Sequence, residues 1–282
     1  MTPKTIVANG VEFAYLEAGQ GPLVLCLHGF PDTAWGFVPV LEHLAAAGYR
    51  AVAPFMRGYP PSAVPADGDY RIITLGRDVL ALIQALGSPS AFLVGHDWGA
   101  AASYAAAALA PGRIEKMVTA AVPHLQRFLF SPSLRQIKRS RYMGFFQLPA
   151  LPERRIVADD FKWLRALIRE WSPGWKFSEA DFAPLKATFS DPARLSAALA
   201  YYRAMPRGLA ERESRALLYT PIRVPTRIIR GADDGCIGPE MFEGQEKFFT
   251  AGYDLVTLPG AGHFMQCEQP EAFAQAVLGF IR

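Results

Sequence analysis

An aspartate, Asp97, stands at the centre of Gly95-His96-Asp97-Trp98-Gly99, between an apolar run and an alanine-rich stretch. A serine on such a sharp strand-to-helix turn would be the nucleophile of an esterase or lipase. A carboxylate there is either a nucleophile of another kind or a helix cap, since Asp is a favoured N-cap residue. On Asp97 alone both readings stand. Two more residues decide between them: Asp234 in IIRGADDGC, after an expected strand, and His263 in LPGAGHFMQ, between an expected strand and the last helix. The order nucleophile, acid, histidine, each on a loop that follows a strand, is that of one class of hydrolytic triad.

A fourth stretch, Cys26-Leu-His-Gly-Phe-Pro-Asp32, opens from a strand into a loop. The backbone N–H groups of Phe30 and Trp98 are candidates for a pair of donors aimed at a developing oxyanion, with His28 organising the loop. The five histidines, His28, His43, His96, His124 and His263, never form H-x-x-x-H, so the chain offers no metal-ligand set of that kind. It also lacks G-x-G-x-x-G and Walker patterns for a nucleotide. No cofactor is expected.

Positioning these groups requires an α/β framework. Thr5–Ala8 and Val11–Leu16 read as a hairpin around Asn9-Gly10. Leu23–Leu27, Tyr49–Ala53, Ser90–Val94 and Ile114–Ala121 read as strands, and Trp35–Ala47, Tyr70–Leu86 and Gly99–Ala110 as the helices between them. From 123 to 218 the pattern becomes amphipathic helix broken by Pro and Gly. Alternation then resumes with strand Val224–Arg230, helix Pro239–Thr250, strand Asp254–Leu258 and helix Ala272–Ile281. The expected architecture is a mostly parallel α/β core in two parts, 1–122 and 219–282, with a helical cap, 123–218, over the carboxyl ends of the strands. The many aromatics of that insertion, Phe128, Phe130, Phe145, Phe146, Trp163, Trp171 and Trp175, hint at a pocket for an apolar substrate.

The chain carries 29 basic and 26 acidic side chains, a formal net charge of +3. Its one basic run, Arg135–Arg141, fits a solvated helix face better than a polyanion site, so no nucleic acid is expected. Three cysteines, Cys26, Cys236 and Cys267, make no C-x-x-C pair, and an odd total leaves no disulfide framework. No apolar run reaches the ~18 residues of a membrane span, and the N-terminus lacks a secretory h-region. A soluble, cytoplasmic protein without a membrane anchor is expected, with self-association into a homo-oligomer left open.

The motifs HGFPD, GHDWG, GADD and GAGHF, taken together and in this order, resemble those of the α/β-hydrolase-fold epoxide hydrolases over the whole chain. The resemblance implies that Asp97 attacks a ring carbon of an epoxide, that Asp234 rather than Asp233 is the charge-relay acid, and that His263 is the histidine. It further implies two cap tyrosines that hydrogen-bond the epoxide oxygen. The family's Y-x-x-x-F-Q pattern falls on YMGFFQ and points to Tyr142. Its tyrosine-arginine pair falls on YYR and points to Tyr202, with Tyr201 facing elsewhere. The sequence departs from many relatives in PFMRGYP, where Phe55 and Pro60 flank the Arg57 loop, and it begins almost directly at the first strand.

In this reading the products are a vicinal diol and free enzyme, formed through a covalent ester of Asp97. A haloalkane or haloacid dehalogenase would use the same Asp-His-acid set, although a halide leaves without a proton and has no need of two tyrosines. A ligand receptor that keeps the pocket without turnover is a third reading, distinguished by whether any substrate marks Asp97 covalently.

Overall fold

In the computed structural model, which covers residues 1–282, the chain opens with strands β1 (Lys4–Ala8) and β2 (Val11–Ala18). They pair antiparallel around Asn9 and Gly10, whose φ angles of 46° and 75° are those of a tight hairpin turn. Strand β3 (Leu23–Leu27) is buried along its whole length, as a strand covered on both faces must be. Strands β4 (Arg50–Pro54), β5 (Ala91–His96), β6 (Ile114–Ala120), β7 (Thr226–Gly231) and β8 (Tyr253–Leu258) complete one eight-stranded sheet. Its order is β1-β2-β4-β3-β5-β6-β7-β8, antiparallel at β1/β2 and β2/β4 and parallel from β4 to β8.

Helices α1 (Val38–Ala46), α2 (Ile72–Ala85) and α3 (Trp98–Leu109) connect the first strands. The alanines of α3 let it lie close to its neighbours: a side chain on Gly76 of α2 would meet Ala105 Cβ at 2.8 Å. Between β6 and β7 the chain leaves the sheet and forms α4 (Leu125–Phe130), α5 (Leu134–Arg139), α6 (Arg141–Phe145), α7 (Leu151–Trp171), α8 (Glu179–Phe189), α9 (Pro192–Arg203), α10 (Met205–Ala210) and α11 (Arg212–Tyr219). These are the inserted cap. Helix α7 is two pieces, broken at Ala158–Phe161, where Asp159, Asp160 and Phe161 have positive φ. The short α12 (Met265–Glu268) and the terminal α13 (Pro270–Ile281) close the chain.

One expected element differs. The helix read over Pro239–Thr250 is two short 3-10 turns, Pro239–Phe242 and Glu246–Phe248, separated at Gly244 with φ of 70°. A left-handed glycine between them interrupts the hydrogen-bond ladder that a single helix needs. The basic run at 135–141 is likewise divided, between α5 and α6. There Arg139 stands 3.8 Å from Glu240 and Arg141 3.0 Å from Glu170, so both cations have acidic neighbours. No helix is long and apolar enough to cross a membrane.

Candidate active site

The sheet reverses its order of filling at β3 and β5, which lie side by side and parallel with Leu27 opposite Gly95. That junction is where loops diverge and leave a crevice at the strands' carboxyl ends. Phe30 leaves β3 and Asp97 leaves β5 at this crevice, and the N–H of Phe30 donates to Oδ1 of Asp97 at 2.8 Å. Asp97 has φ 51° and ψ −118°, outside the usual wells for an L-residue, which costs on the order of 1–3 kcal/mol. It occupies the N-cap position of α3 yet makes no side-chain capping bond. The carboxylate is therefore turned away from the helix, and the capping account of this residue is not what its geometry serves. Gly95 and Gly99 leave room for the turn, because a side chain on Gly95 would strike the Gly99 carbonyl and one on Gly99 the Leu27 carbonyl.

His263 reaches the same carboxylate from the loop after β8, its Nε2 3.7 Å from Oδ2 of Asp97. Its other ring nitrogen, Nδ1, lies 3.0 Å from Oδ2 of Asp234. The second oxygen of Asp234 accepts the backbone N–H groups of Cys236 at 2.7 Å and Ile237 at 2.9 Å, which fixes the carboxylate's rotation. Asp233 has no such bonds to the histidine, so the structure brings Asp234, not its neighbour, to His263. The two loops are joined through the cap: the Trp171 carbonyl accepts N–H groups from Gly235 at 3.0 Å and from His263 at 3.1 Å.

Burial disfavours a charged His263 ring, but the Asp234 and Asp97 carboxylates outweigh it and push its pKa up to about 10. Burial also penalises ionised Asp97, yet His263, His96 and the Phe30 N–H together hold its pKa below the ordinary carboxylate value. The resting arrangement is thus an ionised Asp97 beside a protonated His263. Nε2 of His263 is buried without a hydrogen-bond partner at the 3.7 Å separation, which leaves its proton free for a closer acceptor.

Cap residues complete the site. Tyr142 on α6 and Tyr202 on α9 both line a cavity with Asp97 and Trp98, and their ring centres are 5.8 Å apart. Tyr202 packs edge-on against Trp98 at 5.1 Å and Phe30 at 5.6 Å, over the turn that carries Asp97. Its hydroxyl is buried near the Trp98 indole and makes no hydrogen bond of normal geometry. Tyr142 brings its hydroxyl within 3.6 Å of Cys236 Sγ. Burial first, followed by Cys236 for Tyr142 and by the Asp97 carboxylate for Tyr202, raises both phenols well above their usual pKa, so both stay protonated. Tyr201 also touches the cavity, but its hydroxyl donates to the Arg57 carbonyl at 2.8 Å. The Arg57 loop is itself anchored by two charge-assisted bonds to Asp78, at 2.5 and 2.6 Å.

Of the expected donor pair, only the Phe30 N–H is hydrogen-bonded to the Asp97 carboxylate; the Trp98 nitrogen lies 2.6 Å from where a side chain on Gly29 would begin. His28 sits behind the loop, its Nε2 accepting the Met56 N–H at 3.0 Å, with burial lowering its pKa to about 4. Three participants received no role from sequence. His96 Nε2 lies 2.9 Å from the carbonyl of His263, and its Nδ1 lies 3.2 Å from Gln266 Nε2. The same Gln266 amide donates to Asp32 at 3.0 Å, so a buried chain of polar groups backs the histidine loop. All three stand inside the motifs GHDWG, GHFMQ and HGFPD, but their mutual contacts span as many as 234 positions and leave no mark on local spacing.

The cavity is lined by 20 residues, 17 of them hydrophobic. Of the aromatics that hinted at it, only Phe128 lines it. Phe146 and Trp171 are fully buried beside the tyrosines, Phe145 and Trp163 border a separate hollow, and Phe130 is exposed. Aliphatic and thioether side chains such as Leu125, Leu129, Met143, Met205 and Leu218 form most of the wall instead.

This geometry has counterparts. Residues 22–270 match the α/β hydrolase fold family. The chain is 32% identical to the AB hydrolase superfamily protein YfhM of Bacillus subtilis, over 97% of this chain and 96% of that protein. It is 30% identical to epoxide hydrolase A of Mycobacterium tuberculosis, over 99% and 97%. The solved structure of Bacillus megaterium epoxide hydrolase in complex with an inhibitor superposes with a TM-score of 0.85 at 28% identity, covering 99% of each chain. With the fold, the motif order and the matches in sequence and structure all agreeing, the chain belongs to the α/β-hydrolase fold family and, within it, to the epoxide hydrolases.

Proposed function

We propose that the protein hydrolyses an epoxide to a vicinal diol through a covalent ester of Asp97. Oδ1 of Asp97 is held by the Phe30 N–H, so Oδ2 is the attacking oxygen. It forms a bond to a ring carbon as the carbon–oxygen bond of the ring breaks. The departing alkoxide takes a proton from Tyr202 or Tyr142, while the other hydroxyl donates a hydrogen bond to it.

Esterification removes the charge of Asp97, one of the two carboxylates that raise the His263 pKa. The ring then gives up its proton more readily, restoring the tyrosine that protonated the alkoxide, and serves as general base, held in the required tautomer by Asp234. Water deprotonated by Nε2 adds to Cγ of Asp97. The oxyanion forms at Oδ1, next to the Phe30 N–H and with the Trp98 N–H as second donor. Collapse breaks the bond between Cγ and Oδ2, the departing oxygen takes up the proton of the added hydroxyl by way of His263, and the diol leaves with Asp97 ionised and His263 protonated again.

The observation that favours epoxide over halide is the unpartnered hydroxyl of Tyr202 in the cavity that holds Asp97. An alkoxide leaving group needs that proton donor; a halide does not. Single turnover of an epoxide in heavy-oxygen water, with mass analysis of the peptide bearing Asp97, tests the scheme. The label enters Asp97 and is missing from the first diol. Label in the first diol with none in Asp97 would mean direct attack by water.

A further inference from the structure

Helix α5 is built inside out. Its one buried side chain is the polar Gln136, 1% exposed, while Leu134 is 86% and Ile137 55% exposed. The glutamine explains the orientation. Its amide nitrogen donates to the Cys236 carbonyl at 3.0 Å and its amide oxygen accepts the Gly238 N–H at 2.9 Å, so α5 is pinned to the loop that follows Asp234. At about 100° per residue, Leu134, Ile137 and Lys138 then share the face turned away from Gln136. Four residues before Leu134, the end of α4 leaves Phe130 46% exposed and stacked at 5.6 Å on Tyr219, itself 55% exposed. Exposed apolar side chains grouped in this way mark a surface that something covers.

The charge around these side chains selects what covers them. Arg135 and Lys138 are exposed and form no ion pair, unlike Arg139 and Arg141. The cap, 123–218, holds 17 of the 29 basic side chains and 9 of the 26 acidic ones, a formal +8; the rest of the chain holds 12 and 17, a formal −5. A second copy set on this face would bring cation against cation, and a nucleic acid would gain nothing from Leu134 and Ile137. A bilayer with anionic headgroups meets both features: apolar side chains enter the acyl boundary, while the cations of Arg135 and Lys138 stay at headgroup level.

We infer that the α4–α5 corner of the cap docks reversibly on an anionic lipid surface, lying on it without crossing it. Helix α4 also lines the cavity, through Leu125, Phe128 and Leu129. The docked corner and the substrate cavity therefore share a helix, which brings an apolar compound dissolved in the bilayer close to the cavity wall.

Co-sedimentation of the full chain with vesicles tests this. The parent binds phosphatidylcholine vesicles containing about 30% phosphatidylglycerol at low salt, and loses most of that binding in about 0.5 M salt or on pure phosphatidylcholine. Arg135→Glu with Lys138→Glu lowers the partition coefficient by about 25-fold or more, at about fivefold for each basic charge removed. Leu134→Ser with Ile137→Ser lowers it by about tenfold or more. None of the four lines the cavity, so circular dichroism and urea melts of both double variants match the parent. Relative to the parent, Leu134→Trp adds an emission that shifts to the blue on anionic vesicles and is quenched by brominated acyl chains. No binding of the parent to anionic vesicles at low salt, or binding that survives in both double variants, overturns the inference. So does a concentration-dependent dimer that Leu134→Ser dissociates, which would make this face a contact between two copies.

Discussion

The backbone N–H of Phe30 donates to Oδ1 of Asp97 over 2.8 Å, joining two residues 67 positions apart. Gly29 makes that approach possible, since a side chain there would collide with the Asp97 carboxylate. Gly29→Ala is expected to slow hydrolysis of the alkyl-enzyme by about 100-fold or more, on the scale of losing one oxyanion donor. Rapid mixing with intact-protein mass spectrometry measures this step, and circular dichroism checks the fold. A rate within threefold of the parent would show that the loop shifts without cost.

In the proposed scheme, formation and breakdown of the ester depend on different residues. His263→Gln is expected to react once and then stall, accumulating protein heavier by one substrate, whereas Asp97→Ala gains no mass at all. Steady-state turnover by His263→Gln at nearly the parental rate would remove His263 from the mechanism.

Each tyrosine-to-phenylalanine change keeps an aromatic ring and deletes one donor. Tyr142→Phe and Tyr202→Phe should each slow epoxide opening by about 30- to 1000-fold, equivalent to about 2 to 4 kcal/mol of transition-state stabilisation. The double variant should open the ring far more slowly still. Alkylation by a matched alkyl halide serves as the control, because its leaving group needs no proton. Equal epoxide rates in parent and double variant would reduce both tyrosines to lid packing, and faster halide release than epoxide opening in the parent would point to a dehalogenase.

In the proposed scheme the charge on Asp97 makes the pH dependence of the two half-reactions differ. In the free enzyme two carboxylates support the His263 proton, with a pKa pushed up to about 10. In the ester only Asp234 remains ionised beside it, so the pKa falls. Ester hydrolysis, followed in single turnover, is therefore expected to rise with pH to a plateau whose midpoint lies below the titration of His263 in the free enzyme. NMR titration of the free enzyme supplies the comparison. Coincident midpoints would contradict the charge coupling.

Acid should destabilise the fold through histidines that are buried neutral. Burial lowers the pKa of His28 to about 4, His96 to about 3 and His124 to about 4. Between the unfolded value near 6.5 and these folded values the unfolded chain binds more protons, so stability declines as pH falls through that window. Asp32 acts in the opposite sense: burial raises its pKa to about 6, and its protonation in the fold offsets part of the loss. Asp78 and Glu268, also raised by burial, act with Asp32, while carboxylates held below their usual values, Asp69 and Asp97 among them, add to the loss at the acid end; the expectation is a falling midpoint in urea melts from pH 6.5 to 4.5. A flat or rising midpoint would count against it.

Local pattern was sufficient wherever the controlling physics is local. The Asn9-Gly10 hairpin, the run Leu23–Leu27 and the glycines around Asp97 each state a backbone requirement within a few residues, and each appears in the fold. The chain order of Asp97, Asp234 and His263 survives into space because each loop follows a strand, and those strands run parallel. What failed locally was the helix over Pro239–Thr250, where Gly244 outweighed the helical spacing.

Only the tertiary structure decided which aromatic residues face the cavity and which polar groups stay unpaired. Tyr201 and Tyr202 are neighbours in sequence and equally buried, yet one hydroxyl is consumed by the Arg57 carbonyl and the other is free. The sorting of Phe128 to the cavity and Phe130 to solvent has the same origin. So does the chain from Asp32 through Gln266 and His96 to His263. Sequence specifies a side chain's chemistry and its local periodicity. Whether a hydroxyl or an amide finds a partner depends on the chain segment folded against it, and here those segments come from the far side of the cap insertion or from strands adjacent only in the sheet.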